Sequence, residues 1–292
     1  QGNQRRLMRV LLISDYSLQH TSGGAQRSNS IIMEEGRRRG HSINEYNWDS
    51  SEIILAHPYD VVISSNLETI STRSPHIVSW IISQKNHVRL EHDANRYLPN
   101  DLRRALFQSC EKAFFLSKFH YKNFVESYGD YFVNVEIVPD PIDAEIFQDL
   151  KQERENKTLY VGFMHPFKGT DEFFSHALEN PHLNFVVAGW SHDERYLRDC
   201  EAFSNIEMIG KVDYEEMGNL YNKYTTLFYK PSMYEPFCRS VAEALLCGID
   251  IQSNSLIGCL HFFNEVGHDE FVRQCNKAPE TFWEKVECLQ PQ

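Results

Sequence analysis

Long apolar runs are absent from the 292-residue sequence. A helix that spans a bilayer needs about 20 predominantly apolar residues. The longer apolar stretches here, such as His76–Ile82, have the length of buried strands instead. The chain also opens without the charged and apolar pattern of a signal peptide. We therefore expect no transmembrane segment.

Cysteine pairs and metal-ligand patterns are absent as well. The seven cysteines are odd in number and include no C-x-x-C pair, so we interpret them as reduced thiols of a cytoplasmic protein. The thirteen histidines show no H-E-x-x-H motif or comparable spacing. The sequence therefore predicts neither a disulfide framework nor a bound metal.

Positive charge is scarce. The 29 lysines and arginines stand against 41 aspartates and glutamates, which makes the formal net charge −12. A nucleic-acid partner, or strong attachment to anionic lipid, would need the opposite balance. The densest basic run, 37–39, falls at the end of a predicted helix, where the helix dipole favours cations. We interpret it as stabilising that helix.

The G-x-G-x-x-G fingerprint is also absent, which disfavours a nicotinamide-dependent oxidoreductase. Instead, an apolar strand over Met8–Tyr16 is followed by Gly23 and Gly24, which open a helix to about Arg39. Strands and helices then alternate, and the pattern restarts after the polar stretch 151–157, which we interpret as a linker. Because a chain of about 300 residues exceeds one ordinary core, we predict an α/β protein of two domains.

The stretch Pro231–Gly258 carries the most informative residues. It predicts a turn, a helix over Phe237–Cys247 that Gly248 ends, and a further strand. Glu235 precedes the helix, and Glu243 lies about 12 Å further along it at 1.5 Å per residue. Unpaired N–H groups at the helix start suit a diphosphate, and carboxylates suit vicinal hydroxyls. Taken by themselves, the two carboxylates are better explained as a surface turn residue (Glu235) and a solvated helix residue (Glu243).

The letters around these carboxylates, E-P-F-C-R-S-V-A-E-A-L-L-C-G, resemble the donor site of GT-B glycosyltransferases of the GT4 type. In that family E-P-F-G is followed by E-A-x-A-x-G, with seven residues between the glutamates, as here. The segment V-G-F-M-H-P-F-K-G around Lys168 resembles the family's V-G-R-L-x-x-x-K-G. Gly23, Gly24 and Arg27 resemble its G-G-x-x-R turn.

The resemblance implies a GT-B architecture, in which two Rossmann-like domains face a cleft. We place the acceptor-side domain at residues 1–150, the nucleotide-sugar domain at 151–278, and a C-terminal helix within 279–292. We expect that helix to return to the first domain, because Phe282, Trp283 and Val286 form an apolar stripe that needs a partner.

The activity implied by the resemblance is a metal-independent, retaining transfer of a hexose from a nucleotide-diphospho-sugar. The acceptor is undefined: a glycan, a lipid-linked molecule or a small molecule. The donor is a co-substrate, and no cofactor is implied. Catalytic roles fall to Glu235, Lys168 and His92. Donor binding falls to Gly23, Gly24, Lys168, Glu235, Phe237, Cys238, Arg239, Glu243 and Trp190.

Individual roles follow from the same resemblance. Lys168 would neutralise phosphate charge, Glu235 would face the hexose, and Glu243 would accept the ribose hydroxyls. His92 aligns loosely with a histidine over the sugar-transfer site, and its neighbour Asp93 could either set the tautomer or cap a turn. An ordinary core or surface histidine is the alternative. Trp190 ends a strand, where it lies either near the nucleobase or on the rim without a role.

Two residues depart from the family pattern. Phe163 stands where the family has arginine, and Cys238 stands where E-P-F-G has its glycine. Both departures affect the phosphate site, and Arg239 is a candidate for the replacement cation. The alternative function is therefore a non-catalytic nucleotide-sugar-binding or scaffolding protein with a degenerate phosphate site.

Overall fold

The computed structural model describes residues 7–94, 97–131 and 134–289. The chain forms two compact units. Unit 1 comprises residues up to Pro141 together with those from Lys277 onward, and unit 2 comprises Ile142–Asn276. Within the described ranges, no helix is long and apolar enough to cross a membrane.

Unit 1 is built on a parallel sheet of six strands in the order β2-β1-β3-β4-β5-β6. In chain order the strands are β1 (Arg9–Ile13), β2 (Ser42–Tyr46), β3 (Val61–Ser64), β4 (His87–Leu90), β5 (Lys112–Phe115) and β6 (Val135–Ile137). The helices between them are α1 (Gly24–Arg38), α2 (Glu68–Arg73), α3 (Pro75–Ser83), α4 (Asn100–Ser109) and α5 (Lys118–Tyr128).

The side chains of β1 alternate between two apolar layers. Val10 and Leu12 share a cluster with residues of α1, whereas Leu11 and Ile13 share one with residues of α2 and α3. Successive side chains of a strand point to opposite faces of its sheet. The sheet is therefore covered on both sides, which explains the near-continuous apolar run in β1.

The run His76–Ile82 forms part of α3, so its interpretation as a strand is wrong. Pro75 lies in the first turn of the helix, where its missing N–H group costs nothing. Ile77, Val78 and Ile81 are the buried residues of α3. Their spacing is that of one helical face, and this face packs under the sheet.

Unit 2 is built on a parallel sheet of five strands in the order β11-β10-β7-β8-β9. The strands are β7 (Glu155–Phe163), β8 (Phe185–Trp190), β9 (Ile206–Met208), β10 (Tyr224–Tyr229) and β11 (Asp250–Ser253). The helices are α6 (Thr170–Glu179), α7 (Glu194–Ala202), α8 (Met217–Lys223), α9 (Arg239–Leu246), α10 (Gly258–Val266) and α11 (His268–Glu287).

The polar stretch 151–157 belongs to unit 2 and does not link the units. The division falls after Pro141 rather than after residue 150, and β7 already begins at Glu155. Arg154 donates to the backbone oxygens of Tyr221, at 3.1 Å, and Tyr224, at 3.3 Å. Lys151, Arg154 and Lys157 form ion pairs with carboxylates of the same unit, so the polar composition of this stretch does not mark a linker.

The last helix, α11, begins at His268, well before its predicted start at Pro279. Proline inside a helix cannot donate to the carbonyl four residues back, which here belongs to Cys275. That oxygen instead accepts a hydrogen bond from Ile142 N at 3.3 Å. A donor from outside the helix thus satisfies the Cys275 carbonyl, which Pro279 leaves without a donor inside the helix.

The end of α11 forms part of the core of unit 1. Phe282, Trp283 and Val286 are fully buried and share a cluster with Val10. The indole Nε1 of Trp283 also donates to the backbone oxygen of Ile32, at 2.6 Å.

Candidate functional site

A short ion pair joins the loops that follow β7 and β10. Lys168 Nζ lies 2.6 Å from Glu235 Oε1. Tyr229, the last residue of β10, donates its hydroxyl to the same oxygen at 2.9 Å. Among the described residues, Glu235 Oε2 accepts no hydrogen bond. The second carboxylate oxygen can therefore accept from a ligand hydroxyl.

Close backbone packing brings these two loops together. Gly169 has φ +76°, and a Cβ atom there would lie 1.9 Å from the backbone oxygen of Lys230. Ser232 N donates to Phe167 O at 3.2 Å. Only glycine allows residue 169 to approach the Lys230 oxygen this closely. The close approach places Lys168 beside the loop that carries Glu235.

Glu235 is held outside α9. Its backbone N donates to Leu256 O at 2.8 Å, and its backbone O accepts from Gly258 N at 2.9 Å. Since α9 begins only at Arg239, the prediction that Glu235 and Glu243 follow one helix at its regular rise is wrong. The loop between β11 and α10 positions Glu235 instead.

Cys238 adopts a backbone conformation that favours glycine. It precedes α9 with φ +76°, in the left-handed region that favours glycine. Burial, and then the nearby Glu235 carboxylate, raises the pKa of its thiol to about 12. The thiol is therefore neutral near pH 7 and adds no negative charge to the start of α9.

Arg239 and Glu243 pair with each other along α9. Arg239 Nη2 lies 3.5 Å from Glu243 Oε1, and both side chains are 8% exposed. Arg239 Nη2 also lies 3.4 Å from Tyr214 Oη. Tyr221 donates to Glu243 Oε2 at 3.3 Å, and burial, followed by Glu243, raises the pKa of Tyr221 well above its ordinary value. Both oxygens of Glu243 thus have partners in the protein.

An aromatic cluster occupies the place of the family's arginine. Phe163 and Trp190 end neighbouring strands in register, and their ring centroids are 4.5 Å apart. His192 lies 4.7 Å from Trp190, and Lys211 Nζ lies 4.2 Å above the Trp190 ring. Lys211 therefore brings a positive charge to the face of this aromatic cluster.

Phe237 presents its backbone rather than its side chain. The ring is 1% exposed and stacks on Phe271, with centroids 6.3 Å apart. Its backbone oxygen accepts from Cys259 N at 2.9 Å. The side chain belongs to the core of unit 2.

His92 lies in a buried polar group of unit 1. Its Nε2 is 2.9 Å from Asn29 Oδ1, and its Nδ1 is 3.5 Å from Asp140 Oδ1. An amide oxygen can only accept, so Nε2 carries the proton. Asp93 is not the partner, because its carboxylate accepts from Asn66. The prediction that Asp93 sets the tautomer is therefore wrong.

The glycine pair of unit 1 supports this group indirectly. Gly23 precedes α1 with φ −69°, which any residue adopts, and Gly24 is the first residue of the helix. Asn29, the partner of His92, lies in the second turn of α1. The glycine turn thus leads into the helix that holds the His92 imidazole.

Several residues at these sites were missed from the sequence. They are residues whose polar atoms lie against those of the predicted residues: Asn29, Asp140, Tyr214, Tyr221 and Tyr229. A signal existed for two of them. Tyr229 ends the strand before the donor loop, and Asp140 stands where the family's V-P-N-G-V-D segment has asparagine.

Comparison with known proteins identifies a family for part of the chain. Residues 141–285 match the family described as glycosyl transferases group 1. No curated protein matches the chain.

Solved structures resemble the chain over nearly its whole length. The sucrose-phosphate synthase of Thermosynechococcus elongatus has a TM-score of 0.70 at 11% identity, covering 97% of this chain and 96% of that one. AviGT4, a glycosyltransferase involved in avilamycin A biosynthesis, has a TM-score of 0.65 at 16% identity, with 96% and 97% covered. HepE of Anabaena, in complex with UDP and glucose, has a TM-score of 0.64 at 12% identity, with 96% and 95% covered.

Two parallel sheets with alternating helices, shared with these structures, define the GT-B fold of glycosyltransferases. Residues 141–285 are a domain of the group 1 glycosyl transferases, and the chain is a glycosyltransferase. The predicted fold class and enzyme class are confirmed.

Proposed function

We propose that this glycosyltransferase moves a hexose from a nucleotide-diphospho-sugar to an acceptor hydroxyl, with retention of anomeric configuration. The observation that carries the proposal is the 2.6 Å pair of Lys168 and Glu235. It holds a cation and a hydroxyl acceptor side by side, just before a helix whose first N–H groups favour anions. A sugar diphosphate carries hydroxyls and phosphate on neighbouring parts of one molecule.

In this proposal the two side chains divide the donor between them. Glu235 Oε2 accepts from a hexose hydroxyl, while Lys168 turns to the diphosphate and offsets the charge that grows on its leaving oxygen. Tyr229 supports Glu235 as a neutral donor, because burial raises the pKa of its hydroxyl well above the ordinary value. The neutral Cys238 thiol leaves the anion site without a repelling charge.

The proposed reaction follows a front-face route. The acceptor oxygen forms a bond to the anomeric carbon on the side from which the diphosphate leaves, and the bond from that carbon to the phosphate oxygen breaks. The proton of the acceptor passes to the leaving phosphate oxygen. The protein contributes positioning and charge stabilisation. This route, which the family resemblance implies, uses neither a protein nucleophile nor a metal ion.

The remaining assignments complete the proposal. Glu243 takes the ribose hydroxyls and Trp190 lies beside the base. Because HepE was solved with UDP-glucose, UDP-sugars are the first donors to try. His92 serves sugar transfer from unit 1, and its fixed tautomer supports that role. The cytoplasmic location rests on the interpretation of the cysteines as reduced thiols.

A donor panel tests the proposal. UDP-, GDP- and ADP-sugars are screened by thermal shift, since a ligand at a hundred times its Kd stabilises by about 2.7 kcal/mol. Release of free nucleotide is then measured with the best donor. Lys168→Met should abolish release. The matched control is Lys223→Met, which breaks the ion pair of Lys223 with Glu155 in the same unit and should leave release unchanged. Binding without release in the wild type would favour the non-catalytic alternative.

A further inference from the structure

The ion pair of Arg239 and Glu243 occupies the carboxylate that the proposed function assigns to the ribose. Arg239 approaches Oε1 at 3.5 Å, and Tyr221 donates to Oε2 at 3.3 Å. Arg239 and Glu243 are one helical turn apart, and each side chain is 8% exposed. Glu243 therefore has an internal partner on each oxygen.

We infer that donor binding opens this ion pair, and that Arg239 thereby makes the site select nucleoside diphosphates over nucleosides. The inference rests on the proposed function, because it takes Glu243 as the ribose acceptor. The Glu243 side chain is only 8% exposed beneath Arg239 and Tyr221, so a ribose hydroxyl gains access to the carboxylate by displacing one of these two side chains.

Of the two partners, Arg239 is the one that can move. Tyr221 is fully buried, at 0% exposure, and its ring packs against Phe147 with centroids 6.1 Å apart. Arg239 is the first residue of α9, and a long side chain at that position can swing toward the N–H groups that receive the diphosphate. The same nitrogen of Arg239, Nη2, contacts both Glu243 and Tyr214 Oη, the latter at 3.4 Å.

Breaking the ion pair of Arg239 with Glu243 costs free energy once, and both the phosphate and the ribose of a nucleotide benefit from it. A diphosphate attracts the guanidinium and so releases Glu243 to the ribose. A nucleoside has no phosphate, so it must break the ion pair without a replacement for Arg239. Arg239 thus competes with the ribose of a nucleoside for Glu243, whereas it favours the binding of a nucleoside diphosphate.

Removing Arg239 should therefore have effects of opposite sign on the two ligands. Calorimetry is carried out with uridine and UDP, or with the adenine or guanine pair if the donor panel selects that base. In Arg239→Leu we expect the nucleoside to bind more tightly and the diphosphate more weakly. The diphosphate should lose at least about tenfold in affinity, as expected for a lost charged hydrogen bond. In a Glu243→Gln background, the nucleoside gain from Arg239→Leu should disappear.

The controls separate this coupling from a structural role. Arg198→Leu removes a similar arginine, 3.4 Å from Glu194 one turn away in α7, and should change neither affinity. If Arg239→Leu does not fold, Arg239→Gln replaces it, with the same opposite-sign result expected. A parallel loss of nucleoside and diphosphate affinity, or no change in either, would overturn the inference while leaving the proposed function intact. A wild type that binds none of the diphosphates would overturn both.

Discussion

The backbone oxygen of Lys230 fills the space that a side chain on Gly169 would need, 1.9 Å from the position of such a Cβ atom. This contact fixes the loop that carries Lys168 against the loop that leads to Glu235. The short ion pair between these two side chains is therefore set by backbone packing and not only by its own charge.

Gly169→Ala should lower stability and donor affinity together. The control is Gly210→Ala, because Gly210 has the same φ of +76° but nothing within 4 Å of the position that a Cβ atom would take. Gly210→Ala should cost only the left-handed strain, about 1–2 kcal/mol. Gly169→Ala adds the clash with Lys230. Chemical unfolding and donor titration of both variants measure the difference, and equal costs would show that the Lys230 contact is unimportant.

Glu235→Gln should separate sugar recognition from nucleotide recognition. The amide keeps the shape but loses the charge that pairs with Lys168 and attracts sugar hydroxyls. We expect nearly unchanged affinity for the free nucleoside diphosphate and a loss of preference for its sugar-bearing form. Calorimetry with both ligands checks this. A similar loss for both would reassign Glu235 to the nucleotide.

Cys238→Gly should raise stability. Glycine relieves the positive φ at residue 238, and its greater freedom in the unfolded chain offsets part of the gain, leaving up to about 1 kcal/mol. Cys238→Ala is the matched control, because it removes the thiol but retains the strain. Thermal unfolding of the two variants distinguishes them. If both are equally stable, the backbone at this position is not strained.

Stability should reach a maximum near pH 6.5. Burial lowers the pKa of His87 to about 3 and that of His120 to about 4. Below pH 6.5 the unfolded chain therefore binds protons at these histidines that the folded protein does not bind, and stability falls as the pH falls. Burial, with the nearby Asp93 charge, raises the pKa of Glu68 to about 8. The folded protein therefore keeps a proton that the unfolded chain releases, and stability falls from about pH 4.5 up to about pH 8.

These opposing slopes can be separated by mutation. Below pH 6.5 the two histidines outweigh Glu68, and above it the decline due to Glu68 prevails. Glu68→Gln should remove the decline in Tm above pH 6.5. Glu126→Gln, at an exposed residue paired with Lys122, should not. A persistent decline in the Glu68 variant would mean that another group causes it.

Trp283→Phe should destabilise unit 1 by about 2 kcal/mol, because it removes a buried hydrogen bond to Ile32 together with part of the ring. Trp48→Phe is the control. Trp48 is only partly buried, and its Nε1 donates to no described residue. Denaturant unfolding of both variants gives the comparison. Equal effects would indicate that the Ile32 hydrogen bond contributes little.

The fold was predictable where one segment carries its own signal. The strand at Met8–Tyr16 and the helix after Gly23 follow from local patterns. The run 76–82 misled because a short apolar stretch has no period that separates a strand from a buried helix. Pro279 misled for another reason. It usually marks a helix start, but here Ile142, distant in sequence, satisfies the carbonyl of Cys275.

Only those residues of the site that lie in short sequence motifs could be predicted from the sequence. Lys168 and Glu235 stand in short motifs, and the structure brings their side chains together. The pairing of His92 with Asp140, instead of the adjacent Asp93, depends on where the loop after β6 runs. The ion pair of Arg239 with Glu243 sits at ordinary helical spacing, but its burial depends on packing that no local pattern encodes.

The hydrogen bond from Ile142 to Cys275 has a consequence for the history and the engineering of the chain. It ties the first residue of unit 2 to the last turn before the chain leaves that unit at Asn276. Unit 2 is thus an insertion whose two ends meet, and the family match begins at its edge, at Pro141. An insertion of this kind can be exchanged between homologues as one module, or its ends can be joined by a short peptide, without stretching the host chain.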